Sequence, residues 1–242
     1  MNRWTEAFGT GHVVLPVIHV ASAEQALRNA EIAREAGADG AFLINHAIGW
    51  ERLLEIHADL TERLADCWLG VNCLDLAPDE VFPRIGPGVV GVWVDNAMIE
   101  EEKDDQPDAE AVRAARVASG WEGLYFGGVA FKYQRHVADI RRAARVARRF
   151  VDVVTTSGPG TGLAAQLEKI RIMKRALGDF PLAIASGITP DNVIDYLPVS
   201  DGYLVATGIS TTFEELDPGR VRRLVEVVRK YDEDRRPAEA VP

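Results

Sequence analysis

Cysteine is scarce in this chain: Cys67 and Cys73 are the only two among 242 residues. No Cys-x-x-Cys pair occurs, so neither a dithiol redox motif nor a zinc ribbon is written here. Trp68, Leu69 and Val71 lie between them, and two packed, reduced thiols are expected, with a disulfide or a metal pair as the alternatives. Metal-binding histidine spacings are missing too. There is no His-x-His and no His-Glu-x-x-His, so no metal site and no metal cofactor are expected. No apolar run approaches the roughly eighteen residues of a membrane span, and the opening MNRWTEAFGTGH has no long apolar core of the secretion-signal kind. A cytoplasmic location is expected by elimination. Positive charge is in short supply: 27 Lys and Arg face 37 Asp and Glu, for a formal net charge of −10. Such a surface repels nucleic-acid backbones, and no nucleic-acid partner is expected.

What the chain has in quantity is a repeated alternation of a short apolar run with a charged amphipathic stretch. Strands are predicted at 13–20, 36–45, 67–73, 88–95, 123–128, 151–156, 180–186 and 201–207. They are Val-rich and rarely alternate, as parallel strands buried on both faces do. Helices are predicted between them, the longer ones over 22–36, 50–64, 108–119, 136–149, 163–176 and 218–231. Ser22 stands where an N-cap belongs, Gly37 where a C′ residue belongs and Pro107 at a first helical position. Eight strand–helix units in one α/β domain spanning 1–242 make a closed (βα)₈ barrel, followed by a frayed tail from about 232. A homo-oligomer is expected.

A barrel interior is filled by side chains, so reactive groups belong at the C-terminal rim. The sequence places there His19, Asn45, His46, Asn72, Asp95, Asn96, Lys132, Thr155, Thr156 and Ser157. Lys132 and Lys103 are the only lysines expected near it. A partly desolvated lysine can neutralise a phosphate, polarise a carbonyl or form a Schiff base. Asp95 follows a fully apolar strand and reads as a general acid or base, a metal ligand or a turn cap; His19 and His46 can act near neutral pH. Asn45 and Asn72 suit hydrogen bonds to a sugar or amide.

The sharpest signal is the last pair of loops. Strand seven ends ASGITPDNV at 185–193 and strand eight ends ATGIS at 206–210. In a barrel, two such loops can cradle a phosphate through backbone N–H groups, with Gly187 and Gly208 permitting close approach and Ser186, Thr207 and Ser210 adding hydroxyls. The alternative is a pair of tight turns with Thr189 capping a helix from Pro190. The TTSGPGTG run at 155–162, with Thr156, Ser157 and Gly158, is either a further anion or sugar contact or a rigid turn; it lacks the Gly-Lys-Ser/Thr ending of a nucleotide-hydrolase loop. Two charge clusters read first as structure. The acidic 100–110 stretch is expected to be a solvated loop leading into a helix, with a metal or lid role as the alternative, and Arg141, Arg142, Arg145, Arg148 and Arg149 a basic helical strip awaiting acidic partners or a subunit contact.

The ordered series VIHV at 17–20, LGVN at 69–72, the Lys132 loop, VTTSGPGTG at 154–162, SGITPDNV at 186–193 and DGYLVATGI at 201–209 resembles the BtpA/SgcQ family of (βα)₈ proteins over roughly 11–231. That family includes a photosystem I biogenesis factor. The glycine-, proline- and leucine-rich loop usual after its first strand is replaced here by ASAEQALRNA, and Asn45 and Tyr133 stand where an acidic or aromatic residue and a histidine are usual. The last two loops also resemble those of phosphoribosylanthranilate isomerase, although His19 occupies the neighbourhood of that enzyme's catalytic cysteine, and its reaction is not expected. Together, residues and resemblance imply an isomerase, lyase or transferase acting on a phosphorylated small molecule, a sugar phosphate or phosphoribosyl compound. Lys132, Asp95 and His19 would be its catalytic groups, and no cofactor is implied. The alternative from the same resemblance is a non-catalytic barrel that serves assembly or stability.

Overall fold

Runs of buried Val, Ile, Leu and Ala form eight parallel strands that close in sequence order, β1-β2-β3-β4-β5-β6-β7-β8, into a barrel. The computed structural model describes residues 3–9 and 11–235. The strands are β1 (Val13–Val20), β2 (Ala41–Asn45), β3 (Leu69–Asn72), β4 (Gly91–Val94), β5 (Leu124–Gly128), β6 (Val153–Thr156), β7 (Leu182–Ala185) and β8 (Gly202–Val205). Around them run α1 (Arg3–Phe8), α2 (Ala23–Glu35), α3 (Trp50–Arg63), α4 (Pro78–Val81), α5 (Pro107–Ser119), α6 (Ile140–Ala147), α7 (Leu167–Leu177), α8 (Val193–Tyr196) and α9 (Pro218–Arg235). Within β1, Val13–Pro16 pairs with β8 and Val17–Val20 pairs with β2. Pro16, which has no N–H to donate, lies at the changeover. Among the described residues no helix is long and apolar enough to cross a membrane.

Side chains alternate across each strand. Val13, Leu15, Val17, Phe42, Ile44, Trp93, Leu124, Phe126, Val153, Ala183 and Leu204 belong to the cluster that fills the barrel, while their neighbours, such as Val14, Leu43, Val92, Val154 and Ile184, pack outward beneath the helices. The inner cluster is aromatic. Phe42 meets Phe126, Trp68 and Trp93 at centroid distances of 5.0, 5.3 and 5.8 Å. Room for these rings comes from Gly70 and Gly91. A Cβ at Gly70 would lie 2.5 Å from the Phe42 ring, and one at Gly91 would lie 2.2 Å from the Trp68 ring.

The helix caps follow the expected chemistry in part. Ser22 accepts from the Gln25 N–H at 3.2 Å, Gly37 takes a left-handed φ of 77° after α2, and Pro107 opens α5. Three helix ends shift by about four residues, and a fourth difference is larger. α6 starts at Ile140, not 136, because Asp139 caps it by accepting from the Arg142 N–H at 2.9 Å. α7 starts at Leu167, not 163, because Leu163 and Ala164 pack as irregular backbone against Gly158 and Gly187. α9 continues through Arg235, so 232–235 are helix rather than tail, and Asp232 accepts from the His12 N–H at 2.8 Å; the remaining tail, 236–242, lies outside the described residues. The fourth is a helix not expected at all. α1 carries Trp4 and Phe8 at i,i+4 spacing across the N-terminal end of the barrel, where Trp4 meets Phe126 at 6.0 Å and Phe8 meets Trp68 at 5.0 Å.

Candidate functional site

The strand parity that fills the core also chooses what reaches the mouth. His19, continuing the inward row of Val13, Leu15 and Val17, and Asp95, continuing that of Gly91 and Trp93, line a cavity of about 180 Å³ at the C-terminal end of the barrel. His46, Lys132, Ser186 and Thr207 join them, under an apolar rim that includes Tyr133 and Phe213. The expected residues His19, Asp95, Lys132, Ser186 and Thr207 are therefore brought together.

Asn45 is not part of this cavity. It continues the outward row of Ala41 and Leu43, its amide donates to the Asp75 carboxylate at 2.7 Å and the Ile48 carbonyl at 3.1 Å, and its oxygen accepts from the Leu74 N–H at 2.7 Å. It latches the loops after β2 and β3. Asn72 acts through Asp95, donating to Oδ1 at 3.1 Å. Thr156, Ser157 and Gly158 also stand behind the wall. The Ser157 hydroxyl accepts from the Lys132 N–H at 2.7 Å and donates to the Gly158 carbonyl at 2.9 Å, which fixes the base of the Lys132 loop. Gly187 and Gly208 permit close approach of protein backbone. A Cβ on Gly187 would lie 2.3 Å from the Ala164 nitrogen, and one on Gly208 would lie 1.9 Å from the Ile188 carbonyl oxygen. The loops after β6, β7 and β8 thus interlock, and Ser186 bridges two of them, donating to the Gly160 carbonyl at 3.0 Å and accepting from the Gly162 N–H at 3.1 Å. Backbone strain collects around the same mouth: Ala130, Tyr133 and Ser186 have left-handed φ values of 49°, 61° and 100°.

The electrostatics of the mouth are uneven. Lys132 is half-buried, its Nζ lies 5.7 Å from the Phe131 ring centroid, and among the described residues it has no carboxylate within 4.0 Å. Burial pushes the Asp95 carboxyl above the usual carboxylate range, against the Asn72 hydrogen bond and the positive charges of Lys132 and His46. Burial lowers His19 to about 4, opposed by its bond to the Phe213 carbonyl and by Glu214 and reinforced by His46 and Lys132. His19 is therefore neutral at pH 7. Its Nδ1 lies 2.8 Å from the Phe213 carbonyl oxygen, which can only accept, so Nδ1 carries the proton and Nε2 keeps its lone pair. The imidazole is held by stacking on Phe213 at 3.9 Å. Among the described residues the buried Nε1–H of Trp93, on the floor, has no acceptor, and the buried Thr155 hydroxyl on β6 is likewise unpartnered. An unpartnered buried donor costs about 1–3 kcal/mol and marks a place where a ligand oxygen would be welcome.

The pH dependence of stability tests this description. An unfolded imidazole titrates near 6.5 and the folded His19 near 4. The fold accommodates the neutral ring, so its contribution is complete above pH 6.5 and is lost as the pH falls towards 4. The loss reaches up to about 3 kcal/mol before solvent screening of the part-exposed ring reduces it. Denaturant titrations between pH 7 and 4 are expected to show a shallower slope for His19→Gln than for wild type, with His57, also lowered by burial, keeping part of it. An unchanged slope would remove His19 as the acid-labile group.

Three sequence expectations change elsewhere. Glu101, from the acidic stretch expected to be solvated, is 1% exposed; it pairs with Arg135 and accepts from the Ala138 N–H at 2.8 Å. Of the arginine strip, Arg142 pairs with Asp104 at 2.7 Å, whereas Arg148 and Arg149 lie past the end of α6 and stack on Phe180 and Phe150. Lys169, on α7, is the residue missed: its Nζ reaches the carbonyls of Ala130 and Ser157 at 2.5 and 2.7 Å, beside Lys132. Asp152 precedes β6 at the opposite end of the barrel, where it pairs with Arg116 at 2.5 Å as a structural brace. A cavity of about 570 Å³ also lies at that end, among Arg3, Arg116, Trp121 and Phe180 and away from the rim residues.

The sequence model of the BtpA family matches residues 106–230, just over half of the chain. The chain belongs to the BtpA family. Two curated relatives are uncharacterized proteins, one from Thermococcus kodakarensis at 29% identity over 110 residues (43% of this chain, 42% of that protein) and one from Methanocaldococcus jannaschii at 28% over 110 residues with the same coverage. This BtpA-family chain thus matches about two fifths of the length of those relatives. Among solved structures, it superimposes on (S)-3-O-geranylgeranylglyceryl phosphate synthase from Thermoplasma acidophilum, in complex with substrate sn-glycerol-1-phosphate, with a TM-score of 0.68, 16% identity and coverage of 93% of this chain and 96% of that one. Phosphoribosyl anthranilate isomerase from Thermus thermophilus gives a TM-score of 0.64 at 16% identity, covering 90% and 99%. At such identities these likenesses establish the fold.

Proposed function

We propose that this BtpA-family barrel is an enzyme acting on a phosphorylated small molecule, a sugar phosphate or phosphoribosyl compound, at its C-terminal mouth. The observation that carries the reading is Lys132: a half-buried ammonium with no carboxylate partner among the described residues, in the same cavity as Asp95 and the neutral His19. A charge held this way lacks a counter-ion that an anionic ligand supplies.

In this reading the Thr207 hydroxyl, and the Ser186 hydroxyl on turning from the Gly160 carbonyl, hold the phosphoryl group with the adjoining amides of Gly187 and Gly208. Lys132 stabilises negative charge that develops on a carbonyl oxygen, and the Trp93 N–H gains its acceptor. His19 Nε2 takes a proton from the substrate carbon beside that carbonyl, and Asp95, its pKa raised by burial, exchanges a proton with the oxygen. Asn72 positions Asp95. Proton transfer of this kind is common to isomerases and lyases. The likeness in fold to synthases and isomerases of phosphate-bearing molecules supports the substrate class. Calorimetry with ribose 5-phosphate tests the reading: saturable binding is expected at millimolar concentration or below, abolished by Ser186→Ala combined with Thr207→Val. Absence of heat at millimolar ligand, or heat unchanged in the double variant, would count against it.

A further inference from the structure

A second cavity adjoins the mouth. It measures about 390 Å³, lies between the loop after β5 and the loop after β6, and shares Lys132 and Tyr133 with the mouth cavity. Arg135, His136, Gln166 and Lys169 also line it, and no aspartate or glutamate is among its lining residues. In a chain of net charge −10 that is an unusual concentration of positive groups. Arg135 is engaged by Glu101 and by the Ile99 carbonyl at 2.8 Å. Lys132 and Lys169 have no carboxylate within 4.0 Å among the described residues.

Lys169 is the least expected of these. Its ammonium donates to the carbonyls of Ala130 at 2.5 Å and Ser157 at 2.7 Å, which tie the two loops together. Its third N–H has no acceptor among the described residues. Burial alone lowers it to about 8, with no acid to oppose the effect. Two carbonyl dipoles satisfy hydrogen bonds but do not cancel a charge, and a desolvated cation without a counter-charge is costly to maintain. The loops do not depend on it alone: the Val129 N–H donates to the Thr155 carbonyl at 2.8 Å and the Lys132 N–H to the Ser157 hydroxyl at 2.7 Å. The unbalanced charge therefore points to a ligand. Several cations with no acid among the walls favour a dianion over a monoanion.

We propose that this cavity is a second phosphoryl subsite, in which Lys169 binds the distal phosphate of a bisphosphorylated ligand whose other phosphate sits by Ser186 and Thr207, with Lys132 on the wall that the two cavities share still facing the carbonyl oxygen between them. The inference rests on the mouth reading above and narrows its substrate class from a monophosphate to a bisphosphate. Calorimetry on the full chain compares ribose 5-phosphate with ribulose 1,5-bisphosphate. The bisphosphate is expected to bind at least tenfold more tightly, and Lys169→Met to bring that ratio near one while leaving the monophosphate affinity within twofold. Because Lys169→Met also removes two loop hydrogen bonds, Gln166→Glu is the second variant. It places a carboxylate in the same cavity with Lys169 intact, at a helix N-cap position whose side chain makes no capping bond, and is expected to abolish the bisphosphate advantage equally. Monophosphate binding with no bisphosphate advantage, or an advantage that survives both variants, would overturn the subsite and leave the mouth reading standing. If neither sugar binds, but inorganic phosphate protects Lys169 against trace acylation read by mass spectrometry, the subsite stands and the mouth reading falls. No sugar binding and no protection would overturn both.

Discussion

Lys132→Met is expected to weaken binding of a phosphorylated sugar by about a hundredfold, equivalent to about 3 kcal/mol, without loosening the fold. Among the described residues the Lys132 ammonium makes no hydrogen bond, so its removal breaks none and gives up only its approach to the Phe131 ring. The backbone N–H, which fixes the loop by donating to the Ser157 hydroxyl at 2.7 Å, is retained. Methionine keeps a flexible apolar stem against Phe131 and removes a half-buried charge that has no partner, so the ligand-free melting temperature should hold or rise slightly. A stable variant that binds as well as wild type would show that the charge faces solvent to no purpose. Asp95→Asn separates the two functions proposed for the mouth in the same way. With its carboxyl pKa raised in the fold, ionised Asp95 costs stability as the pH rises through that value. The amide should therefore raise the melting temperature at neutral pH while abolishing proton transfer.

Gly128→Ala is expected to be the most damaging single methyl group near the site. A Cβ there would lie 1.9 Å from the Asp95 carbonyl oxygen and 2.4 Å from its carbonyl carbon, both backbone atoms that cannot swing aside. The end of β5 would have to part from the chain leaving β4, where the Ala97 N–H donates to the Gly128 carbonyl at 2.9 Å. Overpacking of this kind costs about 3 kcal/mol, which lowers the melting temperature by roughly 6–12 °C in a domain this size. Because the clash is with the backbone of Asp95 itself, the proposed activity should fall further than stability explains. Gly88→Ala, where a Cβ meets nothing within 4 Å, is the control and should be neutral. Equal melting temperatures for the two variants would mean that the β4–β5 seam is looser than described.

Much of this architecture can be read in the chain because parallel strands buried on both faces must be short apolar runs, and eight of them recur with helices between. The mouth was legible where strand parity carries it. His19 and Asp95 continue inward rows, and both line the cavity. The same parity, applied to Phe42 and Ile44, turns Asn45 outward into its latch with Asp75, a distinction that a list of rim residues does not make. Thr155 and Thr156 divide in the same manner: the hydroxyl of the former lies inside with no partner among the described residues, and the latter packs behind the wall. Gly187 and Gly208 were recognisable as close-approach positions, but sequence cannot say whether the thing approached is a ligand or another loop. Glu101 and Lys169 were hidden for a simpler reason. Charged residues in a polar run or on a helix look solvated until the tertiary fold brings Arg135 to one and two loop carbonyls to the other.

The aromatic stopper at the base of the barrel bears on traffic. With Trp4 seated against Phe126 and the rings of Phe42, Phe126 and Trp93 meeting edge to face within the barrel, the axis is blocked from below. Whatever enters between Tyr133 and Phe213 must leave by the same doorway. For the proposed enzyme, reactant and product would therefore compete for one passage, and turnover would be subject to inhibition by its own product whenever departure is slow.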